Sequence, residues 1–397
     1  MSRWPEVLLG DVIDLFDSKR IPLSSRERAE RQGAYPYYGA QGVIDHVDGY
    51  LFEGRYILIP EDGENLNSRK LPIAYSAEGR FWVNNHAHVA RARAGVAIDR
   101  FVQGALEATD ISPFITGAAQ PKLSQANLRL VPLRLPPLED QRRIAAVLDA
   151  IDDLIESSSL RIALLEQIAT AIYREWFVYF RYPGHQDEKL IDSPLGRIPL
   201  GWRCERLEQV ASITMGQSPA SEHYNKEGVG LPFHQGVSHF GANYPRHVQF
   251  CRIDGRRAMA DDHLVSVRAP VGRLNRADVD ITIGRGLAAL SSRINAQAFL
   301  GLQLQEIFSE EDSMGGGTIY KAITKDDLAS ILVVQPPADT VAMAESVFAN
   351  IGSLVKALTF SSRSLEALRA LLLPKLVTGA VDVSTLDLDG LLEEAAV

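Results

Sequence analysis

A chain of 397 residues is long for one domain and suits two or three of about 150 residues each. With 46% hydrophobic and 23% charged residues it can bury real cores, and its two cysteines, Cys204 and Cys251, exclude a disulfide scaffold and a four-cysteine zinc site. The formal net charge of -9 argues by itself against a nucleic-acid binder, which usually carries a basic footprint.

The distribution of charge modifies that reading. Residues 1–135 hold 16 Lys+Arg and 16 Asp+Glu; residues 136–182 hold 5 and 8; residues 183–335 hold 16 and 18; residues 336–397 hold 4 and 8. The first and third segments can each carry a basic face, whereas the other two are poor candidates for touching phosphate. Met1-Ser2-Arg3-Trp4-Pro5-Glu6 lacks the pattern of a signal peptide, and no apolar run reaches the roughly 20 residues of a membrane helix. A cytoplasmic protein that meets no membrane is expected.

In chain order, residues 1–135 predict a globular, mostly β domain, with short strands at Tyr56–Pro60, Phe81–Val83 and His88–Ala90. Residues 136–182 predict a long helix after Pro137. Ile144, Leu148, Ile151, Ile155, Ser158, Ile162, Leu165, Ala169, Ile172, Trp176 and Tyr179 recur at alternating steps of four and three, which is a coiled-coil seam. Glu139 and Asp140 suit the positive end of the helix dipole, and Pro183-Gly184 closes the element. Residues 183–335 predict a second globular domain, with strands at Leu264–Val267 and Ile331–Val334. Residues 336–380 predict a second long helix, whose seam runs Ala344, Phe348, Ile351, Val355, Leu358, Ser362, Leu365, Arg369, Leu372. Pro374 and Gly379 close or kink it. Residues 381–397 form an acidic C-terminal tail.

This order is one plan used twice. Trp4, Leu9 and Val12 match Trp202, Leu207 and Val210, each 198 later. Gly117, Leu123, Ser124, Leu128 and Val131 match Gly317, Ile323, Thr324, Leu328 and Ile331, each 200 later, and Pro136-Pro137 matches Pro336-Pro337. The middles of the two copies do not align. Because each helix follows its own globular part, the helices are expected to pair antiparallel. Ile151, Ile155, Leu165, Ile172, Ile351, Val355 and Leu365 would then be buried between them. An alternative is two amphipathic helices on separate cores.

Catalytic patterns are missing. Gly284-Arg285-Gly286 lacks the third glycine of a dinucleotide loop, and Gly315-Gly316-Gly317 is not followed by the Lys-Ser or Lys-Thr of a P-loop. His86 and His88 are spaced for one side of a strand and read as structural or surface residues. No methyltransferase tetrapeptide is present. Loops suited to recognition are: Tyr35-Pro36-Tyr37-Tyr38-Gly39-Ala40-Gln41-Gly42, Asn84-Asn85-His86, Gln217-Ser218-Pro219, His234-Gln235-Gly236-Val237-Ser238-His239 and Arg268-Ala269-Pro270-Val271-Gly272-Arg273. Amides suit adenine and arginines suit guanine in two-point contact, and Arg and Lys hold phosphates.

With these features in hand, the chain resembles the specificity (S) subunit of Type I restriction–modification systems. Leu135-Pro136-Pro137-Leu138-Glu139-Asp140-Gln141-Arg142-Arg143-Ile144 is similar to the family's start of its central conserved helix, and Trp176-Phe177-Val178-Tyr179-Phe180 to its end. Leu372-Leu373-Pro374-Lys375-Leu376-Val377-Thr378-Gly379 is similar to the end of the distal conserved helix. Ser266–Gly272 with Ile283–Ala289 resembles one common type of target-recognition domain, and Tyr38–Gly42 with Phe81–His88 another. Pro336-Pro337-Ala338-Asp339-Thr340 departs from the family's Leu-x-x-Gln after the prolines.

The resemblance implies an α+β fold: two target-recognition domains joined by two long conserved helices in an antiparallel coiled coil, with pseudo-two-fold internal repetition. It implies that each domain reads one half of a bipartite site in double-stranded DNA and that the helices set the spacing. Two methyltransferase (M) subunits, using S-adenosylmethionine, would dock on the helices, and restriction (R) subunits would complete the complex. This chain itself is expected to bind no cofactor or metal and to have no catalytic residue. The expected DNA contacts are Lys19, Tyr37, Tyr38, Gln41, Asn84, Asn85, His86 and Lys122 in the first domain. In the second they are Gln217, Ser218, Gln235, Ser238, His239, Arg268, Arg273, Arg285, Tyr320 and Lys321. A non-enzymatic scaffold presenting two protein-binding domains, or a nucleic-acid enzyme with an unrecognised site, are the competing readings. Steep weakening of binding with salt separates DNA recognition from the scaffold.

Overall fold

A computed structural model describes residues 4–117, 119–185, 188–309 and 322–384. Tyr320, Lys321 and most of the acidic tail lie outside these residues. The chain divides into two compact units, residues 1–157 with 362–397 and residues 158–361. Each unit therefore takes one globular part together with a stretch of both long helices.

In the first unit, Glu6–Leu8 pairs antiparallel with Pro132–Arg134, so the ends of the globular part close on each other. Four strands follow in the order Ile13–Leu15, Ala87–Ala92, Tyr56–Pro60, Tyr75–Ala77, all antiparallel. Tyr56–Pro60 is buried throughout, which explains its continuous apolar run. Ile57 and Ile59 join the core beneath helix Asp99–Ala108, whereas Tyr56 and Leu58 face the other way, into a core with Phe52, Phe81 and Val83. A second sheet orders Gly42–Val47, Gln32–Gly39, Arg80–Val83 and Phe52–Glu53. In it, Tyr37 and Tyr38 run parallel to Trp82 and Val83.

The second unit repeats this plan. Arg203–Arg206 closes on Leu332–Gln335, and the four-stranded sheet runs Ala211–Met215, Leu287–Ser292, His263–Ser266, Leu274–Arg276. Leu231–His234 runs parallel to Ile281–Ile283. The middles that do not align by residue type align by pairing. Arg80–Val83 and Ala87–Ala92 correspond to Ile281–Ile283 and Leu287–Ser292. Arg93 N–H donates to Val12 O at 2.7 Å, and Arg293 N–H to Val210 O at 2.8 Å.

The first long helix spans Leu138–Tyr173 and ends in a π-helical turn, Arg174–Val178. The second spans Ala338–Val377 and continues through Pro374; Gly379, at φ +73°, marks its close. Within each unit the two helices run antiparallel. In the first, Arg369 pairs with Asp152, and Leu148 and Leu373 both abut Gly104. In the second, Tyr173 packs on Phe348 at 6.4 Å, and Glu166 lines the same cleft as Val355. Ile151 and Val355 are buried on the seam; Ile155, Leu165, Ile172, Ile351 and Leu365 are half-buried on it. Ala338–Val377 has the length and apolar composition to cross a membrane, a property that the run-length reading of the sequence missed. Its ion pair with Glu107 and Asp152 and its packing in the aromatic core are contacts of a protein interior.

The departure from Leu-x-x-Gln has a structural counterpart. Gln141 Oε1 accepts from Ile98 N–H at 3.0 Å, at the start of helix Asp99–Ala108. In the second unit Val341 stands at that register and is buried. Glu345, one turn on, accepts from Ala298 and Phe299 N–H at 3.1 and 2.8 Å. An orphan helix N-terminus needs an acceptor, and a carboxylate also suits its dipole.

Candidate nucleic-acid interface

In the first unit the turn Asn84-Asn85-His86 joins Arg80–Val83 to Ala87–Ala92. Asn84 N–H donates to Tyr38 O at 3.0 Å, and Asn84 Oδ1 accepts from His86 N–H at 2.8 Å. Next to it lies the turn Gly39–Gly42, which Tyr75 secures: its hydroxyl donates to Gly39 O at 2.6 Å and accepts from Gly42 N–H at 3.2 Å. Gln41 and Asn85 are exposed on these turns. His86 Nδ1 meets Asp62 Oδ2 at 2.7 Å; the Asp62 backbone forms an antiparallel β-bridge with that of Lys122, whose Nζ lies 3.3 Å from Glu61. Lys19 is exposed and sits 5.4 Å over the Phe16 ring. The fold thus gathers Gln41, Asn85, His86 and Lys122.

A charge network underlies this surface. Buried His88 bonds Asp17 at 2.6 Å, and Arg20 bonds Glu61 at 2.9 Å and Ala87 O at 2.7 Å. Burial alone would raise Asp17, but the His88 bond and charge, Val89 N–H and Arg20 outweigh it and hold the carboxyl below its ordinary value. Asp17, Glu61 and His88 are close enough to be candidate metal ligands, yet Arg20 and Lys122 already neutralise the two carboxylates. The group reads as an ion-pair lattice beneath the turns.

The second unit places Gly284-Arg285-Gly286 at the topological position of Asn84-Asn85-His86. Ser218 Oγ donates to Gln235 Oε1 at 2.7 Å and accepts from Arg285 N–H at 3.2 Å. Gln217 N–H donates to Ile283 O at 3.0 Å. The backbone crossing is tight: a Cβ on Gly216 would lie 2.1 Å from Gly284 O, so no side chain fits there. Gln217, Ser218, Gln235 and Arg285 therefore form one cluster. Ser238 and His239 are exposed in a 3₁₀ turn beyond it. Arg268 and Arg273 flank the loop with the cis Ala269–Pro270 bond, and both are exposed. Among the described residues, Arg268 and Arg285 have no carboxylate partner.

Two expected contacts are corrected. Tyr37 is fully buried, with its hydroxyl accepting from Leu23 N–H at 2.8 Å; it is a core residue. Asn84 is also buried, and its carboxamide oxygen shapes the turn. Tyr38 is half-buried, edge-on to Phe81 at 5.5 Å, and burial raises its hydroxyl pKa. Tyr320 and Lys321 lie outside the described residues. Sequence reasoning passed over Tyr75, Arg20, His247 and Asp278, which meet Gly39, Glu61 and each other far along the chain, with no local signal for those contacts.

The fold and its loops define a class: a duplicated α+β protein in which each copy presents polar and cationic side chains on turns at matching strand ends. Residues 1–167 match the Type I restriction modification DNA specificity domain. A protein of Methanocaldococcus jannaschii named as the MjaX type I restriction enzyme specificity subunit is 34% identical over 270 residues, 67% of this chain and 63% of that relative. A Haemophilus influenzae protein named as a type I restriction enzyme specificity subunit is 33% identical over 218 residues, 53% of this chain and 54% of the relative. The matched part thus spans less than two thirds of these relatives. The crystal structure of the Type I restriction–modification S subunit from M. genitalium shares the fold, with a TM-score of 0.65 at 14% identity over 95% of this chain and 96% of that one. Residues 1–167 thus match that DNA specificity domain, and the chain is similar to proteins named as type I restriction enzyme specificity subunits.

Proposed function

We propose that the chain is the DNA-specificity subunit of a Type I restriction–modification complex. Each unit reads one half of a bipartite duplex site through its turn cluster, and the long helices set the gap. The observation that carries this reading is the repeated placement of exposed polar side chains, Gln41, Asn85 and His86 in one unit and Gln217, Gln235 and Arg285 in the other, at equivalent strand ends. Because Ser218 occupies Gln235 Oε1, Gln235 offers its NH₂ more freely than its oxygen. That favours a base-edge acceptor over the two-point adenine contact. Arg268 and Arg285 supply guanine or phosphate contacts.

The helices dock two methyltransferase subunits, which bring S-adenosylmethionine; restriction subunits complete the assembly. Exposed Leu160, Leu164, Leu354 and Leu371 on the long helices support a protein partner there. This chain contributes recognition and no catalytic group. The scaffold reading is not favoured, because a DNA specificity domain is matched. The test is reconstitution. The chain alone should transfer no labelled methyl group to DNA, and the chain with its methyltransferase should methylate a split site. Methylation independent of this chain would overturn the proposal.

A further inference from the structure

Three histidines of the second unit converge beside the reading cluster, and the DNA-reading role does not use their arrangement. His234 ends the strand Leu231–His234 and is buried. Its Nε2 lies 3.0 Å from His247 Nδ1, with the ring centroids 5.3 Å apart. His239 is exposed on the 3₁₀ turn, and its ring centroid is 6.4 Å from that of His234. The backbone holds this arrangement: Arg246 N–H donates to His239 O at 2.8 Å, so His239 and His247 flank the neck of the loop between them. Behind His247, Asp278 Oδ1 sits 3.0 Å from Nε2, off the line of a good hydrogen bond but in charge contact.

We propose that His234, His239 and His247 form a binding site for a borderline first-row divalent ion of the zinc class, with Asp278 supporting His247 from behind. Two imidazole nitrogens 3.0 Å apart are spaced to share one ion at metal–nitrogen distances of about 2.0–2.1 Å. The His239 ring stands off from this pair, so binding requires it to swing inward to supply the third nitrogen, with solvent completing the shell. Imidazole suits zinc, copper and nickel, and the Asp278 carboxylate beside His247 Nε2 favours a cation there. In this arrangement the facing nitrogens of His234 and His247 hold a hydrogen bond, which the ion would replace. The ion would pin the segment that carries Gln235 and Ser238. This inference concerns metal binding alone and stands or falls apart from DNA recognition.

The test is zinc titration of the tag-free full chain at pH 7.5 against a chromophoric chelator, repeated for His239→Ala, His247→Ala and the control His46→Ala. One equivalent should bind. His239→Ala removes an exposed ring, so the fold survives, and affinity should fall about tenfold or more, since even supporting residues cost 10–100-fold. His247→Ala should do the same, and His46→Ala should change nothing. Copper-loaded protein should show coupling to three nitrogens. No binding at tens of micromolar zinc (about 10⁻⁵ M, far above structural zinc sites) would overturn the site. Binding untouched by His239→Ala, or by both loop variants, would overturn the three-histidine assignment.

Discussion

The short helix that each unit lays against the long pair is tied down by charge in one unit and by aromatic rings in the other. In the first, buried Arg100 on Asp99–Ala108 meets Asp149 at 2.6 Å and also pairs with Asp152; Arg369 meets Asp152 at 2.6 Å and Glu107 at 2.9 Å. In the second, Phe299 on Gln297–Ile307 packs on Phe177 at 4.9 Å and Tyr173 at 5.8 Å, and these rings also pack on Phe348. One joint thus has two chemistries. The same fold tolerates either, because what the joint requires first is a filled volume. The reading turns differ in the opposite sense: the first unit pairs Lys122 with Glu61, whereas the second leaves Arg268 and Arg285 without a carboxylate partner among the described residues.

The largest effect should come from the aromatic joint. Phe348→Ala removes a buried ring that contacts Tyr173, Trp176 and Phe177, and should cost about 3–5 kcal/mol in denaturant unfolding, independent of salt. A loss under 1 kcal/mol would mean that the joint is not packed as described.

Acid should separate the units next. His263 is pulled down to about 4, chiefly by burial and further by the Arg276 charge, against the hydrogen bond to Gln297 O and the Asp261 charge. Between its ordinary value of 6.5 and about 4 the unfolded chain takes up a proton that the folded unit refuses, so stability falls as pH drops through that window. Asp17 in the first unit is held below 3.8, so its contribution is lost only as pH falls below that value. Comparing pH 7 with pH 4.5, the wild type should lose about 2–3 kcal/mol more than His263→Gln. Equal losses would remove His263 from the account.

Smaller still is the ionic joint. Arg369→Met should cost about 2 kcal/mol at low salt and less as salt is added, because Glu107 and Asp152 are partly exposed. A salt-independent loss would point to packing of the side chain's stem. The smallest effect is on DNA: Arg285→Gln should lower the slope of log affinity against log salt by about 0.9, whereas Lys122→Gln, already paired with Glu61, should change it less. The reverse order would contradict the electrostatic contrast between the two surfaces.

The long helices were readable because a 3.5-residue seam is local and survives any tertiary context; Ile144, Leu148, Ile151 and Ser158 are all buried as expected. Tyr56–Pro60 was readable as a strand; its burial on both faces is a finding of the structure. The repeat in the middle was not, because strand pairing constrains which face is apolar and leaves residue type free. Trp82-Val83 and Thr282-Ile283 do the same job. Tyr37 and Asn84 looked like reading residues by type, but type does not say which side of the sheet a residue takes, and a one-step change reverses it. The Ser218–Gln235–Arg285 cluster was named residue by residue; its hydrogen bonds join positions 17 and 67 apart, which only the fold brings together.

The division of labour between units is tested most directly by exchanging residues 200–335 for the same region of a relative with a different known target, then mapping methylation by the assembled complex. The account predicts that one half of the recognised sequence changes to the relative's and the other stays as it was. A change in both halves, or in neither, from an assembled and active complex would contradict it.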